Sequence, residues 1–335
     1  MKQRDYIILL DPSLQNNKGK PSDNLGDQII YDSIKTILEE LFSGKEIIRI
    51  STHVDFTKKE KNIIKGSRFI FVGGTNILTS DIRNFPRLTP IKKKGFYLFP
   101  GIKNLILLGT GWTSYQSQMD WATKFYYKKI LSNNILHSVR DIYSLNQLNK
   151  SGFENIIHTS CPSAWHLDTS FINRYDPSFK KILFTLTSYY PDETADNLLL
   201  ETILNAAVEE TCFFPQSKSD TEYLMTLPIF KKNISKFTLL NHDLAEFYNL
   251  VSSKKINYIG NRLHSGIKCL TLNQPSMILS VDNRASEIGK SINLNVVARG
   301  NLSLLQKWIC NEYIPPSINL PLDNIEKWKT QFVKK

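Results

Sequence analysis

The chain has 335 residues, which is enough for two domains of ordinary size. Its 41% of hydrophobic and 22% of charged residues are typical of a folded globular protein and exclude an intrinsically disordered chain. Lys and Arg residues outnumber Asp and Glu residues by 42 to 31, and the resulting net charge of +11 favours anionic partners such as phosphorylated substrates, nucleic acid or a membrane surface.

The apolar segments and the cysteines exclude further classes of protein. The longest apolar runs, such as residues 6–10, fall far short of the ~18 residues that a transmembrane helix needs. The apolar run that follows the basic N-terminus is also too short for a signal peptide and lacks its cleavage site. The four cysteines form no CxxC pair, so neither a zinc ribbon nor a redox pair is indicated. We therefore expect a cytoplasmic protein.

The N-terminal half alternates predicted strands and helices. Short apolar runs predict strands, and apolar residues at helical spacing predict the helices between them. The predicted strands are residues 6–10, 47–50, 69–72 and 105–108, and the predicted helices are residues 27–42 and 58–65. Strands that run into glycine turns and then into helices are typical of a parallel α/β sheet.

The same alternation begins again near residue 180. The predicted strands are residues 181–186, 211–214, 257–260 and 277–280, and the predicted helices are residues 192–210, 243–252, 265–272, 287–292 and 323–332. We therefore predict two α/β domains that face a cleft, residues 1–170 and 171–315, followed by a closing helix within residues 316–335. Because ligands bind at the carboxyl ends of parallel strands, the loops after the strands are the candidate sites.

Two loops of the N-terminal half carry candidate binding residues. Asn24-Leu25-Gly26-Asp27 precedes the first helix, where an anion site and a plain helix cap are equally good interpretations. Gly73-Gly74-Thr75 follows the third strand, and its glycines either let the backbone approach a ligand or form a tight turn.

Arginines follow three further strands. Arg140 offers a planar fork for phosphate or carboxylate, although an ion pair with Asp141 at the surface is the commoner explanation for such a pair. Arg262 and His264 flank the start of a helix, which suits a phosphate-bearing substrate and acid–base chemistry better than it suits a structural histidine. Arg284, in the loop that begins with Asp282, either binds substrate or belongs to a capped helix.

The basic runs at residues 58–61 and 92–94 are more often solvated faces than binding sites. They are also suited to holding the protein at an anionic membrane surface, where each cation contributes about 1 kcal/mol. Aromatic residues do not interleave with them, so no nucleic-acid platform is indicated. We accordingly predict no specific nucleic-acid partner.

The ordered set of motifs resembles the polysaccharide pyruvyl transferase family over residues 20–300. The motifs that carry this resemblance are Asn24-Leu25-Gly26-Asp27, Phe71-Val72-Gly73-Gly74, Ser138-Val139-Arg140-Asp141, Thr159-Ser160-Cys161-Pro162-Ser163, Gly260-Asn261-Arg262-Leu263-His264-Ser265 and Val281-Asp282-Asn283-Arg284. The resemblance implies a GT-B-like fold whose closing helix crosses back to the N-terminal domain. It also implies transfer of the enolpyruvyl-derived group of phosphoenolpyruvate to a sugar, as a cyclic ketal, in the synthesis of a surface polysaccharide such as a capsule or exopolysaccharide.

The resemblance assigns roles to the candidate residues. The family's Arg-x-His element falls on Arg262 and His264, and the family's junction arginine falls on Arg140. From the chemistry that this implies, we expect Arg262, His264 and Asp27 to be catalytic, with His264 as the general acid or the group that protonates the leaving phosphate, and Asp27 as the general base or a hydrogen-bond partner of the acceptor. The residues expected to bind the donor are Arg140, Arg262, Ser265, Asn283 and Arg284, and those expected to bind the acceptor are Asn24, Gly26, Gly73, Gly74 and Thr75. This chemistry requires no metal and no cofactor besides the donor, phosphoenolpyruvate. The acceptor is either lipid-linked at the inner membrane face or nucleotide-linked.

Two other functions remain open from the sequence. A glycosyltransferase that uses a nucleotide sugar would employ the same cleft and the same arginines. A non-catalytic protein that binds nucleic acid or a membrane surface would explain the charge, but it would leave Arg262 and His264 without a purpose.

Overall fold

The computed structural model describes residues 6–84, 102–172, 180–206, 208–253 and 255–333. Up to residue 172 the strands and helices are β1 (Tyr6–Asp11), α1 (Leu25–Leu41), β2 (Glu46–Ser51), α2 (Lys58–Gly66), β3 (Ile70–Gly73), β4 (Asn76–Leu78), β5 (Leu105–Leu108), β6 (Gly111–Trp112), α3 (Trp121–Ile130), β7 (His137–Val139), α4 (Ile142–Lys150), β8 (Ile156–His158) and α5 (Thr169–Ile172).

The elements after residue 180 follow the same alternation. They are β9 (Lys181–Thr185), α6 (Glu193–Asn205), β10 (Glu210–Phe213), α7 (Lys218–Leu224), α8 (Pro228–Lys232), β11 (Thr238–Leu239), α9 (Leu244–Ser253), β12 (Asn257–Gly260), α10 (Leu263–Thr271), β13 (Ser276–Ser280), α11 (Asn283–Ile292), β14 (Val296–Ala298), α12 (Leu302–Ile309) and α13 (Leu322–Val333).

The chain divides into two compact units. Unit 1 contains the described residues of Met1–Ser22, Ile30–Trp165 and Leu320–Lys335, and unit 2 contains those of Asp23–Ile29 and His166–Asn319. The first residues of α1 therefore group with unit 2, although they lie within the sequence range that we predicted as the N-terminal domain.

Unit 1 is built on a parallel sheet with the strand order β2-β1-β3-β5 among the described residues. Successive side chains of a strand point to opposite faces, and the residues of β1 accordingly divide between two buried clusters. One face packs against α3, and the other packs against α1 and α13. A sheet covered on both faces explains why its strands read as continuous apolar runs.

The closing helix α13 belongs to unit 1. Trp328 and Phe332 pack edge-on against Phe71 of β3, with ring centroids 6.1 and 5.5 Å away. The side chain of Gln331 accepts a hydrogen bond from the Leu136 N–H at 2.8 Å and donates one to the Leu136 carbonyl at 3.2 Å. Aromatic packing on β3 and hydrogen bonds to the residue before β7 therefore fix this helix within unit 1.

Unit 2 has a parallel sheet with the order β11-β10-β9-β12-β13-β14 in the part of the chain that the structure describes. The chain moves outward in one direction from β9 to β11 and in the other direction from β12 to β14. The strand order therefore reverses between β9 and β12, and in open α/β sheets this switch point is where ligands bind.

The α/β fold with two parallel sheets confirms the predicted fold class, and the differences from the predicted elements are local. The predicted helix at residues 192–210 is too long, because α6 ends at Asn205 and Glu210 begins β10, where it pairs with Lys181 of β9. The basic run at residues 92–94 lies outside the described residues. No helix in the described ranges is both long enough and apolar enough to cross a bilayer.

Candidate active site

The turn from β12 to α10 is held by a buried hydrogen-bond network. A Cβ atom on Gly260 would lie 2.3 Å from the Thr185 hydroxyl, so only glycine lets β12 approach β9 this closely. The Tyr258 hydroxyl donates to the Arg262 carbonyl at 2.7 Å, and the Thr185 hydroxyl, 2.6 Å from that of Tyr258, accepts from the Arg262 N–H at 3.3 Å. The backbone of Arg262 is therefore fixed by both strands at the switch point.

The Arg262 guanidinium is buried and paired. Its Nη2 donates to Asp220, and the side chains of both residues are inaccessible to solvent. The same carboxylate accepts hydrogen bonds from the Ser188 N–H and hydroxyl, both at 3.0 Å, and from the Ser217 N–H at 2.8 Å. The Arg262 Cζ lies 4.3 Å from the centroid of the Tyr189 ring, within range of a cation–π interaction. These contacts restrict the guanidinium to one orientation.

Several buried polar atoms at this switch point have no hydrogen-bond partner among the described residues. They are Nε and Nη1 of Arg262, both side-chain polar atoms of Asn261 and the hydroxyl of Thr187. A buried donor without an acceptor costs about 1–3 kcal/mol, and more when the group is charged. The arrangement therefore suits a ligand that supplies acceptor oxygens, such as a phosphate or a carboxylate.

Another arginine of unit 2, Arg284, also contacts Tyr189. Arg284 pairs with Asp282 through Nε at 2.8 Å and Nη2 at 2.6 Å, and Nη2 also lies 3.4 Å from the Tyr189 hydroxyl. Asp282 accepts the Arg284 N–H at 2.9 Å and so caps α11, which begins at the predicted donor residue Asn283. Tyr189 thus contacts Arg262 with its ring and Arg284 with its hydroxyl.

His264 and Ser265 lie in the first turn of α10, where both are buried. The Ser265 hydroxyl donates to the Gln216 side chain at 2.7 Å, and Gln216 Nε2 donates to Asn24 Oδ1 at 2.9 Å. The structure therefore connects the predicted donor residue Ser265 with the predicted acceptor residue Asn24 through a side chain of unit 2.

The segment Asp23–Ile29 joins unit 2 through the same glutamine. A Cβ atom on Gly26 would lie 2.4 Å from Gln216 Nε2, and the Leu25 N–H donates to the Gln216 carbonyl at 2.9 Å. Asn24 Oδ1 also accepts the Gly26 N–H at 3.1 Å, as a helix cap does. Asp27, the predicted general base, follows in the first turn of α1 and is half-buried.

In unit 1 the predicted glycine motif has a packing role. A Cβ atom on Gly73 would lie 2.3 Å from Ile34, and one on Gly74, whose φ is +61°, would lie 2.0 Å from Ile30. Both glycines therefore let α1 pack onto the end of β3. Thr75 continues this turn, and its carbonyl accepts the Gly111 N–H at 3.0 Å.

Arg140 follows β7, as predicted, and is buried in unit 1. Its Nε donates to Asp141 at 2.9 Å and its Nη2 donates to the Trp112 carbonyl at 3.3 Å. A Cβ atom on Gly111 would lie 2.1 Å from Arg140 Nε, so the guanidinium packs directly on that backbone. Asp141 also caps α4 by accepting the Ser144 N–H at 2.7 Å. The predicted surface ion pair is therefore a buried one.

Sequence reasoning missed three residues that contact these groups, namely Asp220, Tyr189 and Gln216. Asp220 carried one recognisable signal, since Ser217 and Asp220 are spaced as a capping box and form one in the structure. Tyr189 and Gln216 follow β9 and β10, whose carboxyl ends lie at the same sheet edge as that of β12. Placing them at the site requires the strand order, which no local pattern contains.

The comparisons with known proteins bear on both fold and family. The family model of polysaccharide pyruvyl transferase matches residues 24–283. The solved structure of S. aureus MnaA with UDP is similar over 99% of this chain and 98% of its own, with a TM-score of 0.54 at 10% sequence identity. TarM aligns with 83% of this chain and 52% of its own, at 14% identity and a TM-score of 0.40. No curated protein sequence matches the chain.

These findings support the fold class and the family that the sequence motifs predicted. The MnaA likeness is one of fold alone, and it supports the GT-B-like architecture of two α/β units. The family match covers most of the chain, including Arg140, Arg262 and His264. The chain therefore belongs to the polysaccharide pyruvyl transferase family and is a transferase.

Proposed function

We propose that this transferase moves the enolpyruvyl-derived group of phosphoenolpyruvate onto a sugar, forming a cyclic ketal and releasing phosphate. The sugar belongs to a surface polysaccharide, such as a capsule or exopolysaccharide, or to its lipid- or nucleotide-linked precursor. The observation that carries this proposal is the Arg262 side chain at the switch point, where Nε and Nη1 are buried without a partner among the described residues. Phosphoenolpyruvate supplies a phosphate and a carboxylate, and both are acceptors that match a guanidinium edge.

Three features of unit 2 support an anionic donor at this position. The pairing of Arg262 with Asp220 occupies Nη2 and leaves two guanidinium nitrogens, Nε and Nη1, for a ligand. The start of α10, with Ser265 in its first turn, adds the positive end of a helix dipole. Arg284 and Asn283, at the start of α11, are the further donor contacts that we propose.

The proposed chemistry begins with protonation of the methylene carbon of phosphoenolpyruvate, which makes C2 electrophilic. One sugar hydroxyl adds to C2, and phosphate leaves with the electron pair of the C2–O bond. A second hydroxyl then adds to C2 and closes the ketal ring. His264 is the proposed general acid, because an imidazole exchanges protons near neutral pH, and Asp27 is the proposed base that accepts a hydroxyl proton. No step passes through a metal or a further cofactor.

A ligand screen by thermal unfolding tests the donor. A ligand that binds only the folded state raises the unfolding midpoint, so phosphoenolpyruvate is expected to raise it in the wild type. The rise should be lost in Arg262→Lys, which keeps a charge beside Asp220 but lacks the planar fork. Arg83→Lys, a change at a half-exposed arginine of unit 1, is the matched control and should respond as the wild type does. A shift with UDP-, GDP- or CMP-sugars and none with phosphoenolpyruvate would overturn the proposal in favour of glycosyl transfer.

A further inference from the structure

Unit 2 contains a cavity of about 540 Å³ that lies beside the arginine site and opens widely to solvent. Its walls come from the loops that follow β9, β13 and β14. The residues that line it are Tyr189, Tyr190, Pro191, Asp192, Val281 and Arg299. The volume lies within the range of small-molecule sites, about 300–1,000 Å³.

Two neighbouring tyrosines give this cavity an aromatic wall. Tyr189 is 46% exposed and Tyr190 is 47% exposed, and their ring centroids lie 5.4 Å apart at an interplanar angle of 69°. Large aromatic side chains stabilise a fold when they are buried, so two adjacent tyrosines left this exposed are better explained by a ligand than by folding.

Hydrogen bonds and an ion pair hold the polar side chains of the cavity in place. The Arg299 guanidinium pairs with the buried Asp196 through Nε, at 3.0 Å, and Nη2, and its Nη1 donates to the Tyr190 carbonyl at 2.5 Å. Asp192 Oδ1 accepts the Ala195 N–H at 3.0 Å. A fixed guanidinium and a fixed carboxylate beside aromatic faces provide both donors and acceptors for a ligand with several hydroxyl groups.

We propose that this cavity binds a pyranose ring of the acceptor sugar, an inference that rests on the proposed function. A pyranose has apolar C–H faces for the tyrosine rings and hydroxyl groups for Arg299 and Asp192. A planar nucleobase fits less well, because only one of two rings at 69° can lie parallel to it. Tyr189 borders the cavity and also contacts Arg262 and Arg284, so the sugar is separated from the proposed donor site by a single side chain.

This placement differs from the acceptor residues predicted from the sequence. Gly73 and Gly74 pack against α1, and Gly26 packs against Gln216, so these glycines are explained by packing without a ligand. The cavity adds Tyr190 and Arg299 as residues that select the acceptor. Neither residue belongs to a motif that pointed to function.

Saturation-transfer NMR with simple glycosides tests the inference. The probes are the methyl glycosides of D-glucose, D-galactose and D-mannose, with uridine as the competing class of ligand. We expect ring-proton saturation of at least one glycoside by the wild type, reduced about fivefold in Tyr190→Ala. Tyr248→Ala removes a tyrosine ring of α9 outside the cavity and should leave the signal unchanged. Val281→Trp, which puts a large side chain at another lining position of the cavity, should reduce the signal as Tyr190→Ala does.

Three outcomes would overturn the inference. They are equal signals from the wild type and Tyr190→Ala, the absence of ring-proton saturation with all three glycosides, and saturation of the uridine base that depends on Tyr190. Thermal shifts with phosphoenolpyruvate on the same proteins separate this result from the donor assignment. If sugar binding depends on Tyr190 but phosphoenolpyruvate does not raise the unfolding midpoint, only the proposed donor is refuted. If phosphoenolpyruvate raises the midpoint but no such sugar binding is seen, only the assignment of the cavity is refuted.

Discussion

Arg262 and Asp220 form an ion pair in which neither side chain is accessible to solvent. Removing two charges from water costs several kcal/mol per ion, and a pair of this kind often adds little net stability. Asp220 accepts three further hydrogen bonds, from the Ser188 N–H and hydroxyl and from the Ser217 N–H, so its own position is strongly determined. We infer that Asp220 positions the guanidinium, with Nη2 engaged and Nε and Nη1 left for a ligand.

Asp220→Asn tests this positioning role. The amide keeps the volume and an acceptor oxygen but leaves a buried arginine without its counter-charge, so both stability and ligand geometry should suffer. We expect a loss of about 3–5 kcal/mol in the free energy of unfolding and at least a tenfold weaker affinity for phosphoenolpyruvate. Denaturant unfolding and titration calorimetry measure the two quantities.

The Asp196–Arg299 pair supplies a matched control within unit 2. Asp196 is also fully buried and also pairs with an arginine, but that arginine, Arg299, lines the cavity that we propose for the acceptor sugar. Asp196→Asn should therefore lower stability by a similar amount and leave phosphoenolpyruvate affinity unchanged. If both variants lost affinity equally, the effect of Asp220 would be one of general stability and the positioning role would be rejected.

Tyr189 is expected to act through its ring more than through its hydroxyl. The ring covers Arg262 with the Cζ 4.3 Å from the centroid, whereas the hydroxyl contact with Arg284 is long at 3.4 Å. A cation–π contact to a desolvated arginine contributes about 2 kcal/mol to holding the guanidinium in place, so a guanidinium released from this orientation should bind the ligand up to roughly thirtyfold more weakly. Tyr189→Ala should weaken phosphoenolpyruvate binding to about that extent, and Tyr189→Phe should change it by less than about threefold. An equal loss in both variants would transfer the role to the hydroxyl.

His264 is the residue on which the proposed turnover depends most directly. His264→Asn removes the proton donor from the first turn of α10 and should reduce phosphate release from phosphoenolpyruvate by about 10²–10⁴-fold in the presence of acceptor. The unfolding midpoint and the shift caused by phosphoenolpyruvate should persist. His53→Gln, a change at an exposed histidine of unit 1, should retain wild-type turnover. Full activity of His264→Asn would refute the general-acid assignment.

The strands of four or more residues and the turn that carries Arg262 and His264 were predictable because each leaves a local pattern. The strand at residues 257–260 is an apolar run that ends in glycine, and the predicted bounds agree with β12. The partner of Arg262 was not predictable, because Asp220 lies 42 residues away and reaches it only through the strand order of the sheet. Most of the very short strands were also missed, since two or three residues leave no periodicity to detect; they are β4, β6, β8, β11 and β14.

A buried histidine of unit 1 predicts how stability depends on pH. His137 is inaccessible to solvent, its Nδ1 accepts the Leu107 N–H at 3.1 Å, and its Nε2 donates to the Ser132 carbonyl at 2.8 Å. The neutral ring satisfies both contacts, whereas a protonated ring would present a second N–H to the Leu107 N–H. Burial lowers the pKa of His137 from its ordinary 6.5 to about 4.

The sign of the effect follows from proton binding. Between pH values of about 6.5 and 4 the unfolded chain binds a proton at His137 that the folded chain does not, so the free energy of unfolding falls as the pH falls. The loss from this residue should total about 3 kcal/mol and should be absent above the ordinary histidine pKa. Burial also lowers the pKa of His158, which adds a loss of the same sign.

Urea unfolding of the wild type and His137→Asn at pH values from about 7.5 to 4.5 isolates the contribution of this residue, because the carboxyl groups titrate in both proteins. At neutral pH, His137→Asn should be less stable than the wild type, because it loses the packing and the hydrogen bonds of the buried imidazole. The difference between the two proteins should narrow steadily as the pH falls, since the wild type alone loses the His137 contribution. Parallel stability curves over this range would show that His137 binds its proton equally in the folded and unfolded chains.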